Sequence, residues 1–126
     1  KARITFCHAG DSRLYLLEEG EPGLTRLTVD DVVMIDGAKR PRTALTNAIG
    51  IGQFAGVHIG RHDARAEFTL MLCSDGLHGV VNDATLFDIV KGADIDKVCR
   101  DLVQAALDGG TRDNVTAVVV RVGGHP

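Results

Sequence analysis

With 126 residues, the chain is one domain's worth of sequence or part of one. Its 14 Lys and Arg against 17 Asp and Glu give a formal charge of −3, which excludes the basic footprint of a nucleic-acid binder, and one Tyr, four Phe and no Trp are too few for a base-stacking platform. No apolar run approaches the roughly 20 residues of a membrane span, and 44% hydrophobic with 25% charged residues is an ordinary globular balance.

In chain order, the alternation over Ala2–His8 predicts a strand that breaks at Ala9-Gly10-Asp11-Ser12, and Arg13–Glu19 predicts a second. The short break between them predicts a hairpin. Gly20 to Gly23 has turn chemistry, and Leu24–Thr28 predicts a third, short strand. Val29–Asp36 has mixed periodicity, Lys39-Arg40-Pro41-Arg42 is a small basic cluster suited to a solvated loop, and Thr43–Gly50 predicts a helical turn closed by Gly50. Gly50-Ile51-Gly52 is a weak phosphate-loop signal, because no helix pattern follows it.

The second half is plainer. Ala55–Arg61 and the apolar run Glu67–Cys73 predict strands, the latter buried and stopped by Ser74-Asp75-Gly76-Leu77. Asn82 or Asp83 caps a helix running to Gly92, and Asp94 caps another, with Ile95, Val98, Cys99, Leu102, Ala105 and Ala106 at helical spacing up to Gly109-Gly110. Val115–Val122 predicts a last, β-branched strand. Strands, then a helical pair, then a strand point to mixed sheets covered by helices.

Cys7, Cys73 and Cys99 are odd in number, widely spaced and without a C-x-x-C, so they predict buried small hydrophobes in a reducing cytoplasm rather than a disulfide scaffold or zinc ribbon. The opening Lys1–Cys7 has neither an initiator Met nor the layout of a signal peptide, and a start inside a longer protein is expected. Glycine, at 15 residues, exceeds the usual share of about 7% and predicts many special backbone positions.

Three aspartates stand at strand mouths in tight turns: Gly10-Asp11-Ser12-Arg13, Ser74-Asp75-Gly76-Leu77 and Arg112-Asp113-Asn114. Any one alone is explained by the turn preference of Asp and Gly. A carboxylate held rigidly at the end of a buried strand is also how a fold presents oxygen to a hard cation such as Mg²⁺ or Mn²⁺.

Five blocks carry more. Ala9-Gly-Asp-Ser-Arg-Leu-Tyr15, Leu27-Thr-Val-Asp-Asp31, Leu45-Thr-Asn-Ala-Ile-Gly50, Leu72-Cys-Ser-Asp-Gly-Leu77 and Gly109-Gly-Thr-Arg-Asp-Asn-Val-Thr116 follow in order over residues 2–122. In order and wording they resemble the metal-dependent Ser/Thr protein phosphatases of the phosphatase 2C type. The resemblance implies an α+β fold, a β-sandwich of two antiparallel sheets flanked by helices (four layers, α-β-β-α), here incomplete at the N-terminus. It also implies Asp75 and Asp113 as ligands of a two-cation Mn²⁺ or Mg²⁺ centre, with Asp11 and Asp75 sharing a third, weaker cation. Gly10 and Gly76 would shape the turns beside those carboxylates, and Asn114 would brace the Asp113 loop.

The implied reaction is hydrolysis of phosphoserine or phosphothreonine in proteins by metal-activated water, opposing a Ser/Thr kinase, with no phosphoenzyme. The resemblance also implies what is missing: an upstream acidic strand, an Asp-Gly metal-bridging block, a phosphate-binding Arg and a proton-donating His. None of His8, His58, His62, His78 or His125 stands in a matching motif, and His62-Asp63 falls in an expected inter-strand turn. Residues 1–126 therefore read as the C-terminal portion of one such domain, inactive in isolation. Open strand edges would call for the missing N-terminal segment or an oligomer partner. Where the family commonly has a longer flap, only Val32–Arg42 stands, and Lys39, Arg40 and Arg42 could dock a phosphorylated partner. The wording around Gly10–Tyr15 is similar to that of bacterial members. The alternative is a non-catalytic, phosphatase-like regulatory or binding module.

Overall fold

The computed structural model of the chain describes residues 1–35, 42–52 and 56–123. In order, the elements are β1 (Ala2–His8), β2 (Arg13–Glu18), β3 (Thr25–Arg26), β4 (Val32–Ile35), β5 (Arg42–Leu45), β6 (His58–Ala64), β7 (Phe68–Cys73), α1 (Asp75–His78), α2 (Asp83–Val90), α3 (Ile95–Asp108) and β8 (Ala117–Val122).

The strands form a four-stranded sheet in the order β3-β2-β7-β8 and two separate pairs, β1-β6 and β4-β5, all antiparallel. The alternation along β7 explains the layering. Phe68 turns to one face and packs with Leu16 of β2 against Ile4 of β1 and Ala64 of β6, which joins the four-stranded sheet to the β1-β6 pair as a sandwich. Met71 and Cys73 turn to the other face, where with Tyr15 they meet Leu77, Leu86, Val90, Val98, Leu102 and Ala106 of the helices.

The helices form where capping and periodicity agree. The Asn82 side chain accepts the Thr85 N–H at 2.9 Å, which starts α2. Asp94 accepts the N–H groups of Asp96 and Lys97 at 3.0 and 3.1 Å, which starts α3. Val98, Leu102 and Ala106 then recur every fourth residue as the buried stripe of α3. Burial of each side chain the size of Leu102 stabilises the fold by about 1.5–3 kcal/mol.

Three of the four expected layers are thus seen. All three helices lie on the same side of the four-stranded sheet, and among the described residues no helix covers the outer face of β1-β6, where Ile59 is 74% exposed. On the sandwich face, Leu72, Val118 and Val120 are exposed beyond the reach of β1-β6. No helix among the described residues is long and apolar enough to cross a membrane.

Several local expectations are corrected. No β1-β2 hairpin forms: β1 pairs with β6 while β2 pairs with β3 and β7, so the Gly10 break carries the chain from one sheet to the other. Residues 42–45 are a strand, not a helical turn, because Leu45 and Ala44 lie opposite Val32 and Val33. His62 and Asp63 lie within β6 rather than in a turn, and Asp63 accepts from the Arg3 Nε at 3.1 Å. Cys73 is buried as expected and Cys99 half-buried, but Cys7 is exposed, on the outer side of its strand.

Candidate metal centre

The register of the four-stranded sheet brings the aspartate-bearing turns together. Arg13 pairs with Cys73, and Cys73 with Ala117, so β2 begins, β7 ends and β8 begins at one level. Asp11 lies just before the first, Asp75 just after the second, and Asp113 in the loop before the third. All three leave the same end of the sheet.

Asp75 opens α1, and His78 closes it with Nε2 at 2.8 Å from the Asp11 carbonyl oxygen, which ties the helix to the first turn. Partial burial and the nearby Asp75 charge push the Asp11 carboxyl above its ordinary value. Ser74 ties the same junction to the third loop. Its N–H donates to the Thr116 carbonyl at 3.0 Å, its hydroxyl donates to the Asn114 carbonyl at 3.3 Å, and that hydroxyl accepts the Thr116 N–H at 3.0 Å. Gly76 lets the loop approach, since a β-carbon there would lie 3.5 Å from Asp113 Cβ and collide with the Asn114 carbonyl. Asn114 also donates its backbone N–H to Asp113 Oδ1 at 2.7 Å, so the bracing expected of it comes from its main chain.

No cation-bearing side chain pairs with Asp11, Asp75 or Asp113 among the described residues. Neighbouring carboxylates such as Asp11 and Asp75, without a paired cationic side chain, suit a hard divalent cation. The set is nonetheless partial: among the described residues, no group of three or more His, Cys, Asp or Glu side chains is gathered closely enough to hold a metal ion.

Two further aspartates hold this end in shape. Asp30 takes a two-point ion pair from Arg13, with Nε at 3.0 Å from Oδ1 and Nη2 at 2.8 Å from Oδ2, and both side chains are largely buried. Arg13 Nη1 donates to the Tyr15 hydroxyl at 3.0 Å, which donates to Asp83 Oδ1 at 2.9 Å and so reaches α2. Burial opposes ionisation of Asp30 most strongly, but the Arg13 hydrogen bonds together with the nearby Arg13, His78 and Arg26 charges outweigh it and hold the carboxyl below its ordinary value. Asp31 accepts the Gly10 N–H at 2.9 Å and Asn47 Nδ2 at 3.0 Å, and meets His58 Nε2 at 2.6 Å. Those contacts, the Gly10 N–H foremost, hold its carboxyl low. His58 in turn stacks on His8 at 4.8 Å.

No family model matches the chain. It is 34% identical over 131 residues to the serine/threonine protein phosphatase PstP of Mycobacterium tuberculosis, covering 95% of this chain and 25% of that protein. The solved structure of PppA, described as a key regulatory component of T6SS in Pseudomonas aeruginosa, superposes with a TM-score of 0.83 at 30% identity, over 96% of this chain and 53% of that one. The catalytic domain of PstP, solved in complex with 2 manganese ions, gives 0.72 at 30% identity over 95% and 53%. The chain is protein phosphatase 2C-like.

This phosphatase 2C-like chain spans a quarter of PstP and about half of each of those two solved structures. Of the predicted site residues, Asp11, Asp75 and Asp113 reach one end of one sheet, with Gly10, Gly76 and Asn114 in the turns that carry them. Lys39 and Arg40 lie outside the described residues, and so does the side chain of Arg42, whose backbone opens β5. Sequence reasoning missed Asp31, His58 and His78. Asp31 stood within a matching block, but nothing local announces partners 16 to 27 residues away.

Proposed function

We propose that the chain is the C-terminal portion of a catalytic domain that hydrolyses phosphoserine and phosphothreonine in proteins. In this reading Asp75 and Asp113 supply part of the hold on two Mn²⁺ or Mg²⁺ ions, and Asp11 shares a third, weaker ion with Asp75. The observation that carries it is the convergence of these three aspartate turns at one end of the β2-β7-β8 sheet. The likeness to a manganese-bound phosphatase domain supports it.

Bound divalent cations would lower the pKa of water and neutralise phosphate oxygens. The chain's own residues supply position: Ser74 and Gly76 fix Asp113 beside α1, His78 fixes α1 beside Asp11, and the Arg13–Asp30 pair holds the start of β2. The substrates are phosphorylated proteins, targets of a Ser/Thr kinase, and three free thiols suit a cytoplasmic site of action. Apolar Leu72, Val118 and Val120, left open on the sandwich face, support further strands from an upstream segment. The partial ligand set supports negligible turnover by residues 1–126 alone.

The test is Mn²⁺-dependent release of phosphate from a phosphothreonine peptide by the full-length protein, by residues 1–126, and by full-length Asp75→Asn. Activity confined to the unmutated full-length protein is expected. Full activity in the Asp75→Asn variant overturns the metal assignment, and metal-independent turnover overturns the class.

A further inference from the structure

We propose that Asp31 is a positioning residue that couples the β4-β5 hairpin to the turn carrying Asp11. Its bonds run to both. On the turn side, Oδ2 accepts the Gly10 N–H at 2.9 Å and the Asp31 N–H donates to the Gly10 carbonyl at 2.9 Å. On the hairpin side, the Asp31 carbonyl accepts the Thr46 N–H at 2.8 Å and Oδ2 accepts Asn47 Nδ2 at 3.0 Å. A third segment is fixed to the same carboxylate through His58.

Among the described residues, the hydrogen bonds that tie the hairpin to the rest of the chain gather at Asp31 and Asn47. Strand β4 starts at the next residue, Val32, and β5 ends at Leu45, one residue before Thr46. Both strands therefore leave from Asp31, one through the covalent chain and the other through hydrogen bonds. Among the described residues of the hairpin, Val32 and Ala44 are half-buried, but the other apolar side chains are exposed: Val33, Met34, Ile35 and Leu45 are each 45–62% accessible. With little buried area to fix its orientation, the hairpin takes it from its root.

The turn side is rigid at the contact. Gly10 is buried with φ +102°, a backbone state that favours glycine, and a β-carbon there would stand 3.4 Å from the Asn47 carbonyl oxygen. Turn and hairpin root meet backbone to backbone in the bond from the Asp31 N–H to the Gly10 carbonyl, and a shift of the root is passed to residue 10 and to its neighbour Asp11. Coupling is reciprocal: a cation drawn to Asp11 and Asp75 restrains the hairpin as much as the hairpin restrains the cation. This last consequence rests on the metal reading above, whereas the mechanical coupling does not.

The experiment is amide hydrogen exchange on the full-length protein, read at residues 10–13 and 43–47. Without metal, Ala44→Pro, which breaks the hairpin ladder opposite Val33, is expected to speed exchange at residues 10–13 about tenfold. Added to Asp31→Ala, the same change is expected to have less than about a twofold effect. Asp31→Asn, which keeps an oxygen able to accept from Gly10 and Asn47, is expected to restore most of the coupling, and Asn47→Ala to lose part of it from the hairpin side. No effect of Ala44→Pro on residues 10–13, or an equal effect with and without Asp31, overturns the proposal. Addition of Mn²⁺ is expected to slow exchange at the hairpin root only when Asp31 is present. Intact coupling with no response to Mn²⁺ upholds the role of Asp31 and overturns the assignment of Asp11 as a cation ligand.

Discussion

Gly76 and Asn114 meet so closely that a β-carbon on Gly76 would overlap the Asn114 carbonyl oxygen and stand 2.9 Å from its carbonyl carbon. The obstacle is backbone, which cannot rotate away, and the Asn114 carbonyl is already engaged by the Ser74 hydroxyl. Gly76→Ala should therefore cost about 2–4 kcal/mol of stability, read as a lowered denaturant midpoint in the full-length protein. Ser74→Ala removes only hydrogen bonds at the same junction and should cost about 1 kcal/mol. Equal costs for the two variants would show that the close approach does not matter.

Acid should act on the site with two opposite signs. Asp30 and Asp31 are held below the ordinary carboxylate value of 3.8, so the stability they confer is full above that value and drains away as pH falls through their lower folded values. Asp11 is held above 3.8, so the folded state keeps its proton longer than the unfolded state, and metal-free stability declines as pH rises through that upper window. Asp11→Asn should flatten the second slope and leave the first, in thermal melting followed from pH 2 to 7 without metal. Persistence of the upper slope in that variant would assign it to another group.

The three thiols should separate by accessibility. Burial pushes the Cys73 thiol up to about 11, which keeps it protonated at neutral pH and shields it from reagent. A neutral-pH disulfide reagent applied to residues 1–126 should modify exposed Cys7 first, half-buried Cys99 next, and Cys73 only after unfolding. Rapid modification of Cys73 in the native chain would contradict the packing of β7 against the helices.

Elements whose structure is set locally were legible in the sequence. The apolar run at Phe68–Cys73 is a strand buried along its helix-facing side and, on the sandwich side, at Phe68, and the four-residue recurrence of Val98, Leu102 and Ala106 behind the Asp94 cap is helix α3. The three aspartates were legible for a related reason, since Gly and Ser beside Asp11 and Asp75, and Asn114 beside Asp113, mark the turns they occupy. What failed depended on partners distant in sequence. Ala2–His8 and Arg13–Glu18 are separated by a gap short enough for a hairpin, yet β1 finds its partner far along the chain, in β6, where His8 lies opposite His58 and Ala2 opposite Ala64. Residues 42–45 have no strong preference of their own, and pairing with Val32–Ile35 decides them. Asp31 and its neighbour Asp30 look alike in sequence, but one is committed to Arg13 and the other to Gly10, Asn47 and His58.

Tyr15 is the single tyrosine of a chain that has no tryptophan. It is wholly buried, and its hydroxyl is held between Arg13 and Asp83. Emission excited beyond the phenylalanine absorption band therefore arises, in these 126 residues, from one phenol, two residues into the strand that follows the Asp11 turn. Burial raises its pKa, so the ring ionises only under more alkaline conditions than a free tyrosine. The start of β2 thus carries its own optical reporter, silent to the solvent-exposed loops and sensitive to any event that loosens the Arg13–Asp30 pair or detaches α2.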